Sequence, residues 1–374
     1  MTAGALTLLR MATLGMACAL GMCVARATDD DNVLNVYNFS TYIGEDTVRN
    51  FEKETGIRVT YDTYDENEVL YAKLRAGHTG YDVVMPGSQW ANRLIAGHLL
   101  HKLDKSRITT LGNVDPQIMK ELIAAGGDAS GDYIVPWLWG IGTVGMNVDK
   151  VKAALGDLPM PADPWDLLFK PEYSTRIKRC GISLVDASES VFAAALHYLK
   201  RPISTDRAAD YSAAAELLAR LRPNVALFSS GSYVDDLASG RLCLVYGYSG
   251  DISTAGKRAR DAKVSQSIVA TVPPSGALTY FDGMAIPADA RHMENAYRWM
   301  SYVYRPDVQA GIVSSVFHSS AVPTSRALLT DEVRNTPALF LTPAQMALME
   351  PPRPVPERIV RLRTRLFASF KSGL

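Results

Sequence analysis

The sequence has no charge of either sign to spare: 39 Lys and Arg stand against 39 Asp and Glu over 374 residues. A nucleic-acid binder normally carries a basic excess or stripe to neutralise phosphates, so nucleic acid is not an expected partner. Long apolar runs are missing too. The longest, residues 11–24, is about 14 residues, short of the ~20 a membrane-spanning helix needs. Cysteine is scarce, with four in all, and Cys180 and Cys243 stand too far apart for metal-ligand spacing. No repeat or low-complexity segment interrupts the chain. There is no G-x-S-x-G elbow, since "GYSG" around Ser249 has the wrong spacing. Apolar residues at 47% and charged residues at 21% exclude a disordered, collagen-like or coiled-coil chain.

The charge balance hides a division. Residues 1–27 read as a cleavable signal peptide: Arg10, an uncharged apolar run, then Ala25-Arg26-Ala27 as the cleavage site. Neither Cys18 nor Cys23 lies in a good lipobox. Removing the segment takes two Arg and no acids, leaving 37 basic against 39 acidic residues, and only Cys180 and Cys243. The mature chain is expected to be soluble outside the cytoplasm. An even pair of cysteines in an oxidising compartment suggests one disulfide, although two separate buried thiols fit the apolar runs "CGISLV" and "LCLVYGY" as well.

From residue 34 the pattern alternates: strand 34–37, helix 46–54 closed by Gly56, strand 57–64, helix 67–76 closed by Gly77, strand 81–85. Strand–helix alternation predicts an α/β fold with parallel strands, and such sheets bind ligands beyond the carboxyl ends of their strands. That points to "NFSTY" and "PGSQW". A second α/β region runs from Val151 to about Ala270. Extended segments at 133–148 and 278–290 would cross between the two units, giving two lobes with a cleft. A literal GxGxxG at Gly140, Gly142 and Gly145 lies inside the first crossing and does not open a helix, so it reads as a glycine-softened strand rather than a nucleotide loop.

No carboxylate pair or histidine cluster declares catalysis or a metal, and no cofactor is implied. What recurs is aromatic rings beside acids in loops: Phe39, Ser40 and Tyr42; Trp90; Tyr248 and Asp251; Tyr280 and Asp282. Rings can stack on methylenes and face an ammonium, while carboxylates accept its charge-assisted hydrogen bonds, so the set suits an organic cation. Ordinary core packing is the competing reading, preferred for Phe281 and evenly balanced for Phe39, Tyr248 and Tyr280.

The segments "LNVYNFSTYIGEDTVRNFEKETGIRVTYD", "AGHTGYDVVMPGSQW", "CGISLVDA", "LCLVYGYSGD" and "YFDGMAIPADA" follow one another as in the periplasmic putrescine/polyamine-binding proteins of bacterial ABC transporters, which the whole mature chain resembles. The resemblance implies a two-lobed periplasmic-binding-protein fold of the second type, each lobe a mixed sheet flanked by helices. Lobe 1 would take 28–140 and 278–318, and lobe 2 would take 141–277 and 319–374. It implies a periplasmic, non-enzymatic, monomeric protein that captures putrescine or a related polyamine for an inner-membrane permease; spermidine, agmatine or cadaverine are alternative ligands, and a sensory protein that kept the fold or a secreted hydrolase are rivals. The implied site is Phe39, Ser40, Tyr42, Trp90, Glu189, Tyr248, Asp251, Tyr280, Asp282 and His318, with a Cys180–Cys243 disulfide. Departures from the family pattern are Thr41 for Asp, Gly87 for Ser, Ser190 for Glu, Phe39 and Tyr248 for Trp, and His318 for Tyr, which imply weakened or altered amine specificity.

Overall fold

A computed structural model describes residues 32–264 and 266–373; the expected signal peptide, 1–27, lies outside them. The first lobe opens with three strands, β1 (Val33–Phe39), β2 (Arg58–Tyr64) and β3 (Val83–Val84), in the order β2-β1-β3 and all parallel. Connecting helices Thr47–Thr55 and Asn67–Ala76 end at Gly56 and Gly77, both at φ 72°, a backbone that a side chain would strain. The strand expected over 81–85 is regular only at its two valines.

The second sheet is mixed: β4 (Val135–Asn147), β5 (Ile182–Leu184), β6 (Leu227–Phe228), β7 (Leu244–Tyr248), β8 (Ile268–Ala270), β9 (Leu278–Met284) and β10 (Ser319–Ser320). Strands β5, β6 and β7 are parallel, and β4 runs antiparallel to β7, β8, β9 and β10. Both expected crossings are thus neighbouring antiparallel strands, β4 and β9.

Two hydrophobic cores sit on either side of that pair. One gathers Leu34, Val36, Val83, Trp137, Trp139, Phe281 and Trp299; the other gathers Ile141, Trp165, Ile182, Phe192, Leu244 and Leu278. The chain passes from one core to the other between Trp139 and Ile141 on β4, and between Leu278 and Phe281 on β9. Gly140 and Tyr280 are paired at that crossing.

The glycines of the GxGxxG segment have a packing role. A Cβ at Gly140 would collide with the Tyr280 hydroxyl, one at Gly145 would lie 2.7 Å from Ile252, and one at Gly142 would lie 3.0 Å from the Tyr246 hydroxyl. The missing side chains are the space that these groups fill. Cys180 and Cys243 form a disulfide, Cα–Cα 5.5 Å. They precede the adjacent strands β5 and β7 rather than lying within them. No helix among the described residues is long and apolar enough to cross a membrane.

Candidate ligand-binding cleft

The carboxyl ends of the parallel strands of both sheets face one another across a cavity of about 410 Å³. From the first lobe, β1 delivers Phe39, Ser40, Thr41 and Tyr42, and β2 delivers Tyr64 and Glu66. From the second, β5 leads to Glu189 and Ser190, β6 to Ser230, and β7 to Tyr248 and Asp251. Tyr280 and Asp282 enter from β9, and His318 precedes β10. Residues 240 positions apart are joined here because two sheets present the same end to one space.

Asp282 sits at the floor. The Tyr42 hydroxyl donates to its Oδ2 at 2.8 Å. Burial outweighs that bond: the carboxyl is pushed up to about 7 from 3.8, first by desolvation and then by the nearby Asp251. Asp251 lies in the first turn of the helix Ser249–Asp261 and accepts from the Tyr233 hydroxyl at 2.6 Å. Its carboxyl is also raised, chiefly by burial, against the opposing pull of His318 and Tyr233.

His318 fixes its own tautomer. Its Nδ1 lies 2.7 Å from the Val316 carbonyl, which can only accept, so Nδ1 carries the proton. Nε2 then faces Asp251 Oδ1 at 3.8 Å, and protonation of the ring would convert that approach into an ion pair. Burial lowers the His318 pKa and Asp251 works against it. The ring packs at Gly250, where a Cβ would overlap it.

Aromatic rings line the walls. Tyr42 meets His318 edge-on at 4.5 Å, and Phe39 packs on Tyr42 and Tyr64 at 5.9 and 4.6 Å. Tyr248 and Tyr280 meet edge-on at 5.0 Å. The Tyr280 hydroxyl is buried beside Ser249, over Gly140. Phe281, one residue away and on the opposite face of β9, stacks on Trp139 in the core at 6.2 Å.

Nine of the ten residues expected at the site therefore line one cavity: Phe39, Ser40, Tyr42, Glu189, Tyr248, Asp251, Tyr280, Asp282 and His318. Trp90 does not. It lies inside the helix Ser88–Ala96 and faces an adjoining chamber, with the Arg93 guanidinium 4.8 Å from its ring centroid. Its neighbour Gln89 reaches both spaces. Both Glu189 and Ser190 reach the cavity. Ser190 Oγ lies 3.2 Å from the Tyr248 hydroxyl, while Glu189 accepts from Gln89 Nε2 at 3.4 Å. Gly87 leaves room beside Asp282 Oδ1, 3.4 Å from where a Cβ would stand.

Tyr64, Glu66 and Tyr233 were not anticipated. Tyr64 and Glu66 end and follow a parallel strand, so the strand-end rule applied to "YDEN" would have found them. Burial pushes Glu66 up to about 7. Tyr233 had no sequence signal, because only the fold sets its hydroxyl under Asp251.

The family profile described as bacterial extracellular solute-binding protein matches residues 46–341. The chain is 40% identical to the putrescine-binding periplasmic protein PotF of Escherichia coli strain K12 over 355 residues, 95% of each protein. It is 34% identical to the putrescine/agmatine-binding protein of Pseudomonas aeruginosa, over 91% of this chain and 92% of that one. Among solved structures, the spermidine/putrescine substrate-binding protein PotD of Streptococcus pneumoniae shares the fold with a TM-score of 0.75 at 24% identity, covering 91% of this chain and 99% of that one. The chain belongs to the bacterial extracellular solute-binding protein family.

Proposed function

We propose that this chain captures putrescine or a related polyamine in the periplasm and delivers it to an inner-membrane ABC permease, as a monomer and without catalysis. The observation that carries the reading is the pair of half-buried carboxylates, Asp251 and Asp282, both with raised pKa, in a cavity walled by Phe39, Tyr42, Tyr248 and Tyr280. Neither carboxylate faces a Lys or Arg at ion-pair distance among the described residues. Desolvation still outweighs the pull of His318 and Arg258 on Asp251 and of Tyr42 on Asp282, a cost that a bound ammonium would recover. Asp282 takes one ammonium and Asp251 the other, the rings hold the methylenes, and Ser40 and Glu189 border the ligand. The relatives are named for the same ligand class.

Residues 1–27 serve as the export signal. The lobes, 28–140 with 278–318 and 141–277 with 319–374, close over the amine by bending at the β4–β9 crossing. Calorimetry with putrescine, cadaverine, agmatine and spermidine tests the proposal. Saturable 1:1 binding of at least one of them is expected; no heat and no thermal shift at millimolar concentration of any would refute it.

A further inference from the structure

The amine cavity adjoins a second chamber of about 810 Å³, and the two share Glu68, Gln89, Glu189, Ser190, Tyr248 and Tyr280 as a common wall. Their charges are opposite. Seven carboxylates and one guanidinium, Arg258, border the amine cavity. Five guanidiniums (Arg93, Arg353, Arg361, Arg363 and Arg365) and three carboxylates border the chamber.

The partnering of those guanidiniums is uneven. Arg93 and Arg361 share Glu357 at 3.3 and 3.7 Å, and Arg353 takes Glu121 at 3.0 Å. Arg363 stands at the common wall, on the C-terminal helix Glu357–Ser372, with its side chain 15% exposed. Its guanidinium comes no closer to Glu189 than 3.9 Å, beyond hydrogen-bond length, while its inner edge is buried beside the Tyr211 hydroxyl. The terminal nitrogen at the common wall, short of hydrogen-bond contact with Glu189, is where a charged acceptor from the ligand could be met.

We propose that this chamber is a second subsite, governed by Arg363, which accepts the anionic far end of an amine held in the aromatic box and rejects a further ammonium. The inference rests on the amine reading of the first cavity and specifies which amines pass. The head ammonium lies with Asp282, and the nitrogen at the other end of the aminobutyl segment, an ammonium in spermidine or an amide N–H in a succinylated amine, lies with Asp251. A chain longer than a short diamine leaves between Tyr248, Tyr280 and Glu189. Its tail then meets Arg363, with Arg361 and Arg365 behind. A carboxylate there gains bidentate hydrogen bonds and charge attraction; a third ammonium meets the like charge of five guanidiniums, and Glu357 is already shared by two of them.

The test uses three ligands with the same aminobutyl head: putrescine, spermidine with a cationic tail, and N-succinylputrescine with an anionic one. They are measured by calorimetry on the full mature chain and on Arg363→Gln and Arg363→Lys. The wild type should bind N-succinylputrescine at least tenfold more tightly than spermidine. Arg363→Gln should shrink that ratio by tenfold or more, and Arg363→Lys, which keeps the charge and loses the bidentate geometry, should shrink it less. Putrescine binding with spermidine equal to or tighter than the succinylated ligand in the wild type would overturn the subsite even if no variant folds. So would a ratio unchanged in Arg363→Gln. Absence of putrescine binding together with both others would instead strike the amine reading itself.

Discussion

Removing the charge of Asp282 should strengthen the empty protein and weaken the liganded one. The Asp282 carboxyl is raised from 3.8 to about 7, with desolvation the largest cause. The folded state therefore holds this proton more tightly than the unfolded chain does. The stabilising contribution is complete in acid below about pH 4 and is lost as pH rises through about 7. A shift of roughly three units at ~1.4 kcal/mol each is on the order of 4 kcal/mol, which the empty protein has forfeited by pH 8. Asp282→Asn keeps the shape and the Tyr42 neighbour but no longer has to hold a buried charge. Its melting temperature at pH 8 should exceed that of the empty wild type and should vary less between pH 5 and 8.

Ligand binding should move the other way. An ammonium against Asp282 draws its pKa down again, so amine uptake below pH 7 releases a proton. Putrescine affinity in the wild type should then fall as the pH drops from 7 to 5, by up to about tenfold per unit. Glu66, also raised to about 7 by burial, titrates in the same window, so the informative quantity is the difference between wild type and variant. Breaking one side of a buried charge pair costs roughly 3–5 kcal/mol, or about a hundredfold to a few thousandfold in Kd. Melting by calorimetry and titration with putrescine at pH 5, 6, 7 and 8 provide both readouts. An Asp282→Asn protein that binds within threefold of wild type, or that melts lower than the empty wild type at pH 8, would refute the reasoning.

Three further outcomes follow from the packing. Gly250→Ala places a Cβ inside the volume of the His318 ring, so it should displace that ring, destabilise by ~1–3 kcal/mol, and weaken amine binding without changing any carboxylate; unchanged affinity would mean that His318 does not shape the site. Tyr42→Phe removes the hydroxyl that donates to Asp282 Oδ2, which should raise the Asp282 pKa further and shift the pH dependence of putrescine affinity upward, read from the same titrations. Reducing the Cys180–Cys243 bridge, which spans 63 residues, should cost up to about 4 kcal/mol on the chain-entropy estimate. Both cysteines precede their strands, whereas the cavity lies at the opposite ends, so thiol-confirmed reduction should lower the melting temperature and leave the putrescine Kd in place.

The part of the site that could be read from the sequence is the part carried by strand ends. Phe39 to Tyr42 follow β1, and Tyr248 and Asp251 follow β7; periodicity located both strands, and the parallel-sheet rule did the rest. The Gly56 and Gly77 caps were legible for an equally local reason, the left-handed backbone. Trp90 shows where the rule fails. "PGSQW" does follow β3, but the helix begins at Ser88, so Gln89 faces the cavity and the next residue is carried into the chamber by the helical turn. Tyr233 and Arg363 were illegible because nothing near them in sequence marks them. Arg363 sits among Arg358, Arg361 and Arg365 on an amphipathic helix, and only its packing against Glu189, 174 positions earlier, sets it apart. The tolerance of GxGxxG was likewise a tertiary fact: its glycines make room for Tyr280, Tyr246 and Ile252.

Thr41 connects the backbone to the altered ligand preference that the sequence implies. It borders the cavity at φ 56°, in the left-handed region where a β-branched side chain is strained by about 1–2 kcal/mol and Asn or Asp is at ease. A substitution to either should therefore stabilise the empty protein through the backbone alone. They differ only in charge, and the difference isolates what a further carboxylate contributes to a cavity already bordered by seven. Thr41→Asn should raise the melting temperature by a few degrees with little change in putrescine Kd. Thr41→Asp should recover less stability at pH 8, because the new charge is repelled by its neighbours, and should bind putrescine about tenfold more tightly as the dication relieves that repulsion. The gain should shrink at high salt if Thr41 stays as exposed as it is here. If Thr41→Asp binds putrescine no more tightly than Thr41→Asn, the position does not sense the ligand, and any altered specificity would have to come from Gly87, Ser190 and His318.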